Sequence, residues 1–98
     1  MNFEWDENKR RLNIEKRGLD FEDAKEIFSE DAFIVEDNRK NYGEIRYILY
    51  GYLCSRLVIL VFTKREKNII RIISMRKANK REQNGYKKRL EQNRPDVG

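Results

Sequence analysis

The chain of 98 residues contains no histidine, one cysteine (Cys54) and one proline (Pro95). Without an imidazole, every acid–base scheme built on histidine is excluded. One thiol and no imidazole leave too few soft ligands for a zinc site, and a single cysteine gives no disulfide framework. No metal or cofactor is expected. No apolar run is long enough to span a bilayer, and no signal peptide precedes the first charged residues. The expected compartment is therefore cytoplasmic, with no membrane partner.

Charged residues make up 40% of the chain and apolar residues 39%. That is polar for a folded protein, but Ile, Val, Leu and Phe concentrate in residues 45–75, which favours a packed core over disorder. The length fits one domain over residues 1–98, with 94–98 as an expected frayed end. The net charge is +5, and its placement matters more than its size. Residues 1–75 are balanced, whereas residues 76–98 hold eight Lys and Arg against three Asp and Glu. A localised basic segment attracts polyanions by releasing their counterions. The plainer alternative is a solvated basic helix.

The pattern predicts an α+β fold. Asp6 is placed to cap a helix over about residues 7–17, with Leu12 as its apolar anchor and Gly18 as its stop. Asp20 can cap a second helix near 21–28, with Phe21, Ala24 and Phe28 on one face. Residues 32–37, 44–53, 57–63 and 69–75 read as strands, and their short connections predict antiparallel hairpins. Met1 to Trp5 reads as a short strand or an extended lead-in. The strands at 57–63 and 69–75 are apolar on both sides, so each sheet face needs a cover. The two N-terminal helices are expected to supply one. A last helix over 79–92 is expected to cover part of the other with Ala78, Tyr86 and Leu90, opened by an Asn79/Glu82 capping box.

The most informative segment is Ile69 to Glu82, where a β-branched run carries Arg71 at its middle and then turns basic and polar. A buried strand has no structural need for a guanidinium, and arginine's planar fork suits phosphate. If the Cys54-Ser55 turn pairs Arg46 with Thr63, then Glu44 stands opposite Arg65. If the next hairpin pairs Thr63 with Ile69, Arg71 joins the same face. Glu44, Arg46, Thr63, Arg65 and Arg71 then form one cluster beside Arg76, Lys77, Lys80 and Arg81. The competing reading is a set of ordinary cross-strand ion pairs, such as Glu44 with Arg65. Tyr42, Tyr47, Tyr50 and Tyr52 can stack on bases, but residues of this kind are more often half-buried parts of a sheet.

With these residues in view, the chain resembles the BrnT-type toxins, a group of RelE-like ribonucleases in bacterial type II toxin–antitoxin systems. The resemblance runs through Phe3-Glu4-Trp5-Asp6, Lys9, Asn13, Lys16-Arg17-Gly18, Phe21, Ala24 and Phe28. It continues at Arg39, Tyr42-Gly43-Glu44, Arg46, Gly51 and Thr63-Lys64-Arg65. It ends with Arg71-Ile72-Ile73-Ser74-Met75-Arg76-Lys77-Ala78, Glu82 and Tyr86. It implies a RelE-like fold with two N-terminal helices, a four-stranded antiparallel sheet and a C-terminal helix. It also implies RNA cleavage that blocks translation, and neutralisation by a ribbon-helix-helix antitoxin of the BrnA type. DNA would then be reached only indirectly, through the antitoxin. One departure is Arg17, where the family commonly has histidine, so a role given to that histidine does not transfer.

RNA can be cleaved without metal when the ribose 2′-hydroxyl attacks the adjacent phosphate. Arg46, Arg65, Arg71 and Arg76 are the candidates to clamp that phosphate. Arginine holds its charge and is a poor base. The base is therefore left open among Glu44, Glu82 and Lys16, while Tyr86 can orient a group or donate a proton. Lys16, Arg17, Lys77, Lys80 and Arg81 are the expected contacts to the RNA backbone. The competing class is a non-catalytic partner-binding module, or an inactive homologue acting in an autorepressor complex.

Overall fold

Asp6 and Gly18 set the limits of the first helix in the computed structural model, which describes residues 1–29 and 31–92. Asp6 accepts from the N–H groups of Asn8 and Lys9, and Gly18 adopts a left-handed φ of 69°, giving α1 as Glu7–Arg17. The second expected helix is shorter than its pattern suggested. Asp20 caps one 3-10 turn, Phe21–Asp23, which leads into a single α turn, α2 at Ala24–Ile27. So short a helix is not stable alone. It is fixed because Phe21, Ala24 and Ile27 are all buried.

The sheet has five strands: β1 (Asn2–Glu4), β2 (Phe33–Glu36), β3 (Arg46–Leu53), β4 (Arg56–Arg65) and β5 (Ile69–Lys77), in spatial order β1-β5-β4-β3-β2. β2 to β5 form the expected antiparallel meander. β1 adds beside β5 in parallel, from Asn2 opposite Ile69 to Glu4 opposite Arg71. The sheet is therefore mixed and five-stranded, not four-stranded and antiparallel. Three residues carry little alternation, and no turn signal links them to a strand so distant in sequence.

The β3–β4 hairpin has the expected register, with Arg46 opposite Thr63. The β4–β5 hairpin does not: Thr63 pairs with Arg71 and Arg65 with Ile69. Its turn is tighter than expected because Lys67 and Asn68 both take positive φ, 60° and 62°. The difference is two residues, an even number, so the side chains up to Ile72, Arg71 among them, keep their expected face. A β-bulge follows, in which Val61 faces Ser74 and Phe62 faces Ile72, leaving Ile73 as an extra residue. Arg71 and Arg76 would lie on opposite faces of a regular strand. With the bulge they share one, because their partners Thr63 and Ile59 alternate together on β4.

The larger core lies on one face, where Phe21, Ala24 and Ile27 meet Leu49, Val58, Leu60, Phe62 and Ile72. Gly51 permits the close approach, because a Cβ there would stand 2.8 Å from the Ile27 carbonyl oxygen. α1 buries no residue, and its expected anchor Leu12 is 49% exposed. It lies along the part of β5 that β1 leaves unpaired, where Asn13 Oδ1 accepts from the Met75 N–H at 3.3 Å. α1 thus protects a sheet edge instead of covering a face.

On the other face, α3 (Lys80–Gln92) starts from the expected capping box, with Asn79 and Glu82 exchanging hydrogen bonds of 2.9 and 2.8 Å. Ala78 and Tyr86 pack on Leu57 and Ile59, whereas Leu90 stays 39% exposed. No helix among the described residues is long and apolar enough to cross a membrane. The expected frayed end at 94–98 lies outside the described residues.

Candidate functional site

α3 covers only the half of its face that carries Leu57 and Ile59. Beyond it, one row of side chains crosses the sheet: Arg46 opposite Thr63, Thr63 opposite Arg71, and Arg71 opposite Glu4. The β2 end of the row is closed by Asp37, whose N–H donates to the Arg46 carbonyl at 2.8 Å. Thr63 is buried and its hydroxyl donates to the Ile45 carbonyl at 2.7 Å, so it spaces the two arginines.

Each arginine on this face has an acidic partner. Arg46 Nε reaches Glu44 at 3.2 Å, and Arg65 reaches the other Glu44 oxygen at 3.7 Å. Arg71 donates to Glu4 at 2.7 Å. Arg76 holds Glu82 through two bonds of 2.8 Å. Pairs this exposed add little stability, but they fix where the guanidinium groups point. Glu44, Arg46, Arg65, Arg71, Arg76 and Glu82 are therefore brought together, as the sequence predicted for Glu44, Arg46, Arg65 and Arg71; it set Arg76 beside them and named Glu82 only as a possible base.

The other sequence-predicted residues lie elsewhere. Lys80 and Arg81 are exposed in the first turn of α3, next to Glu82. Lys77 pairs with Val58, whose side chain lies in the larger core, so it points to the opposite face. Lys16 and Arg17 end α1 about one turn past Asn13, at the β5 edge. Tyr86 is buried beneath α3 and donates its hydroxyl to the Asp31 carbonyl at 2.6 Å; burial pushes its pKa up.

Three residues of the site, Glu4, Asp37 and Arg39, were not among the candidates, and Tyr42 was read only as a base-stacking or sheet residue. The Asp37 carboxylate is fully enclosed. It accepts from Arg39 Nε and Nη2 at 2.8 Å each, from the Arg39 N–H at 3.2 Å and from the Tyr42 hydroxyl at 3.0 Å. The Arg39 guanidinium holds it far below the usual carboxylate range, against the opposing effect of burial. Arg39 itself is largely exposed, so a buried anion fixes a cation that faces solvent. The Tyr42 ring lies under Arg46, 4.1 Å from its guanidinium carbon. The signal available was an aspartate ending an apolar strand with an arginine two positions later, inside a segment that otherwise reads as polar loop.

Arg39 also stands near enough to Arg76 for the two charges to oppose each other, although the Glu82 bonds dominate and raise the Arg76 pKa. Glu82 is held below its ordinary range, first by Arg76, with help from the Asn79 N–H. It is therefore an anion at neutral pH and a weak base. Among the described residues, no three His, Cys, Asp or Glu side chains are grouped to hold a metal ion. What the face offers is several fixed planar cations, spaced by carboxylates, on a surface left open by α3. That arrangement suits a phosphodiester chain.

No curated protein sequence matches the chain. A crystal structure of the Brucella abortus ribonuclease toxin, BrnT, is similar, with 30% identity and a TM-score of 0.68. The likeness covers 82% of this chain and 99% of that one. Residues 5–82 match the family described as the ribonuclease toxin, BrnT, of type II toxin–antitoxin systems. A match over most of the chain, an α+β fold shared with a solved member, and an open face of fixed arginines have one common explanation: the chain belongs to the BrnT family of bacterial ribonuclease toxins.

Proposed function

We propose that this protein is a metal-independent endoribonuclease, acting as a single domain, that inhibits translation by cutting RNA. Arg46, Arg65, Arg71 and Arg76, joined by Arg39, grip the scissile phosphate and stabilise the charge that grows on it as the 2′-hydroxyl attacks. Glu44 is the base best supported. Glu82 is tied to Arg76 by two bonds of 2.8 Å, whereas Glu44 meets Arg46 and Arg65 at the longer distances of 3.2 and 3.7 Å, and Lys16 sits at the sheet edge. Lys80 and Arg81 follow the RNA backbone from the start of α3. The observation that carries this reading is the arginine row on one sheet face, aligned by strand register and outside the helical cover.

Membership in a type II toxin–antitoxin family supports a cognate antitoxin that neutralises the enzyme. We infer a ribbon-helix-helix partner of the BrnA type, with DNA bound only through that partner. The test is incubation of antitoxin-free protein with RNA in EDTA. Fragments ending in 2′,3′-cyclic phosphate are expected. RNA left intact, beside a nuclease control that degrades it, would refute the metal-free mechanism.

A second reading is favoured by one observation. Every arginine of the row is paired with a carboxylate, which fits a non-catalytic binding module. Induction of wild type and of Arg71→Ala without antitoxin separates the readings. Growth arrest by wild type alone supports the nuclease. Normal growth with both, each soluble and folded, supports the module.

A further inference from the structure

Between α3 and strands β2 and β3 lies a groove of about 290 Å³ that shares only Glu82 and Tyr86 with the candidate residues placed above. Its floor is aromatic. The Phe33 and Tyr50 rings lie 6.1 Å apart at 45°. The Arg89 guanidinium carbon stands 4.2 Å from the Phe33 ring centre. Glu82 is part of the lining and carries Arg76, and so joins the groove to the arginine face.

Gly85 forms part of the wall. Glycine in the middle of a helix is unfavourable and normally has a reason. Here the backbone does not need it, because φ is not positive, and packing does not need it, because a Cβ would meet nothing within 4 Å. What its missing side chain does is leave the groove open, one helical turn from Arg89.

We propose that this groove takes one unstacked nucleobase of the RNA substrate and so sets where the chain is cut. The proposal rests on the RNA-cleaving reading. The chemistry of the groove favours a flat heterocycle. Aromatic rings and an arginine plane are the surfaces on which unpaired bases stack, and a carboxylate in the lining accepts hydrogen bonds from base N–H groups. Because Glu82 links the groove to Arg76, a nucleotide whose base lies here has its phosphate on the Arg76 side. The basic residues of α3 complement the rest of its charge.

The experiment uses Gly85→Leu, which fills the groove and suits a helix better than glycine. Leu12→Ala on exposed α1 serves as control. The four 3′-nucleoside monophosphates are titrated into each folded protein, with Phe33, Tyr50 and Arg89 followed by NMR, and cut sites are mapped on a mixed-sequence RNA. Wild type and control should show shifts at these three residues, with one base preferred. Gly85→Leu should weaken binding at least tenfold and lose the preference among cut sites. Arg89→Ala should also reduce the preference, which guards against a misfolded Gly85→Leu.

If wild type cuts RNA but the monophosphates leave the groove unperturbed and Gly85→Leu cuts at the same sites, the base pocket is wrong while the nuclease reading stands. If the groove binds monophosphates but RNA in EDTA stays intact, the metal-free mechanism fails, and the groove is a base-binding site whose role in choosing the cut is overturned. Should only purified antitoxin perturb the groove, it is a protein-docking surface and the proposal is overturned.

Discussion

The Arg76 guanidinium meets the Glu82 carboxylate edge to edge, Nη1 to Oε1 and Nη2 to Oε2, each at 2.8 Å. The same carboxylate accepts from the Asn79 N–H at the start of α3. One side chain therefore ties a strand cation to a helix terminus. Glu82→Ala removes half of the capping box, and a loss of about 1 kcal/mol is expected in thermal or urea melts. Cleavage should fall as well, because Arg76 is no longer aimed. Arg76→Lys should not rescue it, since an ammonium cannot make two parallel bonds to one carboxylate or phosphate. A fully active Arg76→Lys would contradict this role.

Asp37 gives the protein a dependence on acid. Its folded pKa is depressed below the ordinary 3.8, chiefly by Arg39. A depressed carboxylate contributes stability that is complete above its unfolded pKa and is lost as pH falls through the folded value. Melting temperature should therefore be flat near neutrality and fall below about pH 4, in the range where unfolded aspartate takes up its proton. Asp37→Asn should flatten that acid limb and lower stability at pH 7 by roughly 1–3 kcal/mol, because a buried group loses charge-assisted partners. An unchanged acid limb in the variant would show that other groups control it.

Alanine at Gly51 and at Gly85 should change stability with opposite signs. A methyl group at Gly51 would press on the Ile27 backbone at 2.8 Å, and backbone cannot swing aside. Gly51→Ala should cost about 1–3 kcal/mol, as overpacking does. Gly85→Ala meets no neighbour within 4 Å and should raise stability by about 0.5–1 kcal/mol through helix propensity. Chemical denaturation of both variants checks the pair, and equal signs would refute the argument.

Tyr86→Phe separates a structural role from a chemical one. The hydroxyl is committed to the Asp31 carbonyl at 2.6 Å, under α3. Its removal should lower stability by about 1 kcal/mol and leave the cleavage rate per folded molecule within about twofold. A rate loss of a hundredfold at unchanged stability would instead make the phenol part of the reaction.

The caps were legible because their signals are local: Asp6, Gly18 and the Asn79/Glu82 box each act within a few residues. The side of the sheet taken by Arg46 and Arg71 was legible for a related reason. An error of two residues in the second hairpin leaves alternation intact. The pairing of β1 was obscure because its partner lies across almost the whole chain, and the packing of α1 because Leu12, exposed in the fold, reads as an anchor in sequence. Asp37 and Arg39 stayed hidden for another cause. A carboxylate leaving a strand looks like the start of a loop, and only tertiary burial shows that it holds an arginine in place.

The surplus residue at Ile73 separates two properties that strands usually couple. Removing it would restore regular pairing, with Arg71 and Arg76 still on the same side. What would change is the local coil of the strand, which bulges increase. A chain shortened by that one position thus keeps both cations and alters the angle between them, so a change in its cutting rate would measure how finely a phosphate clamp must be aimed.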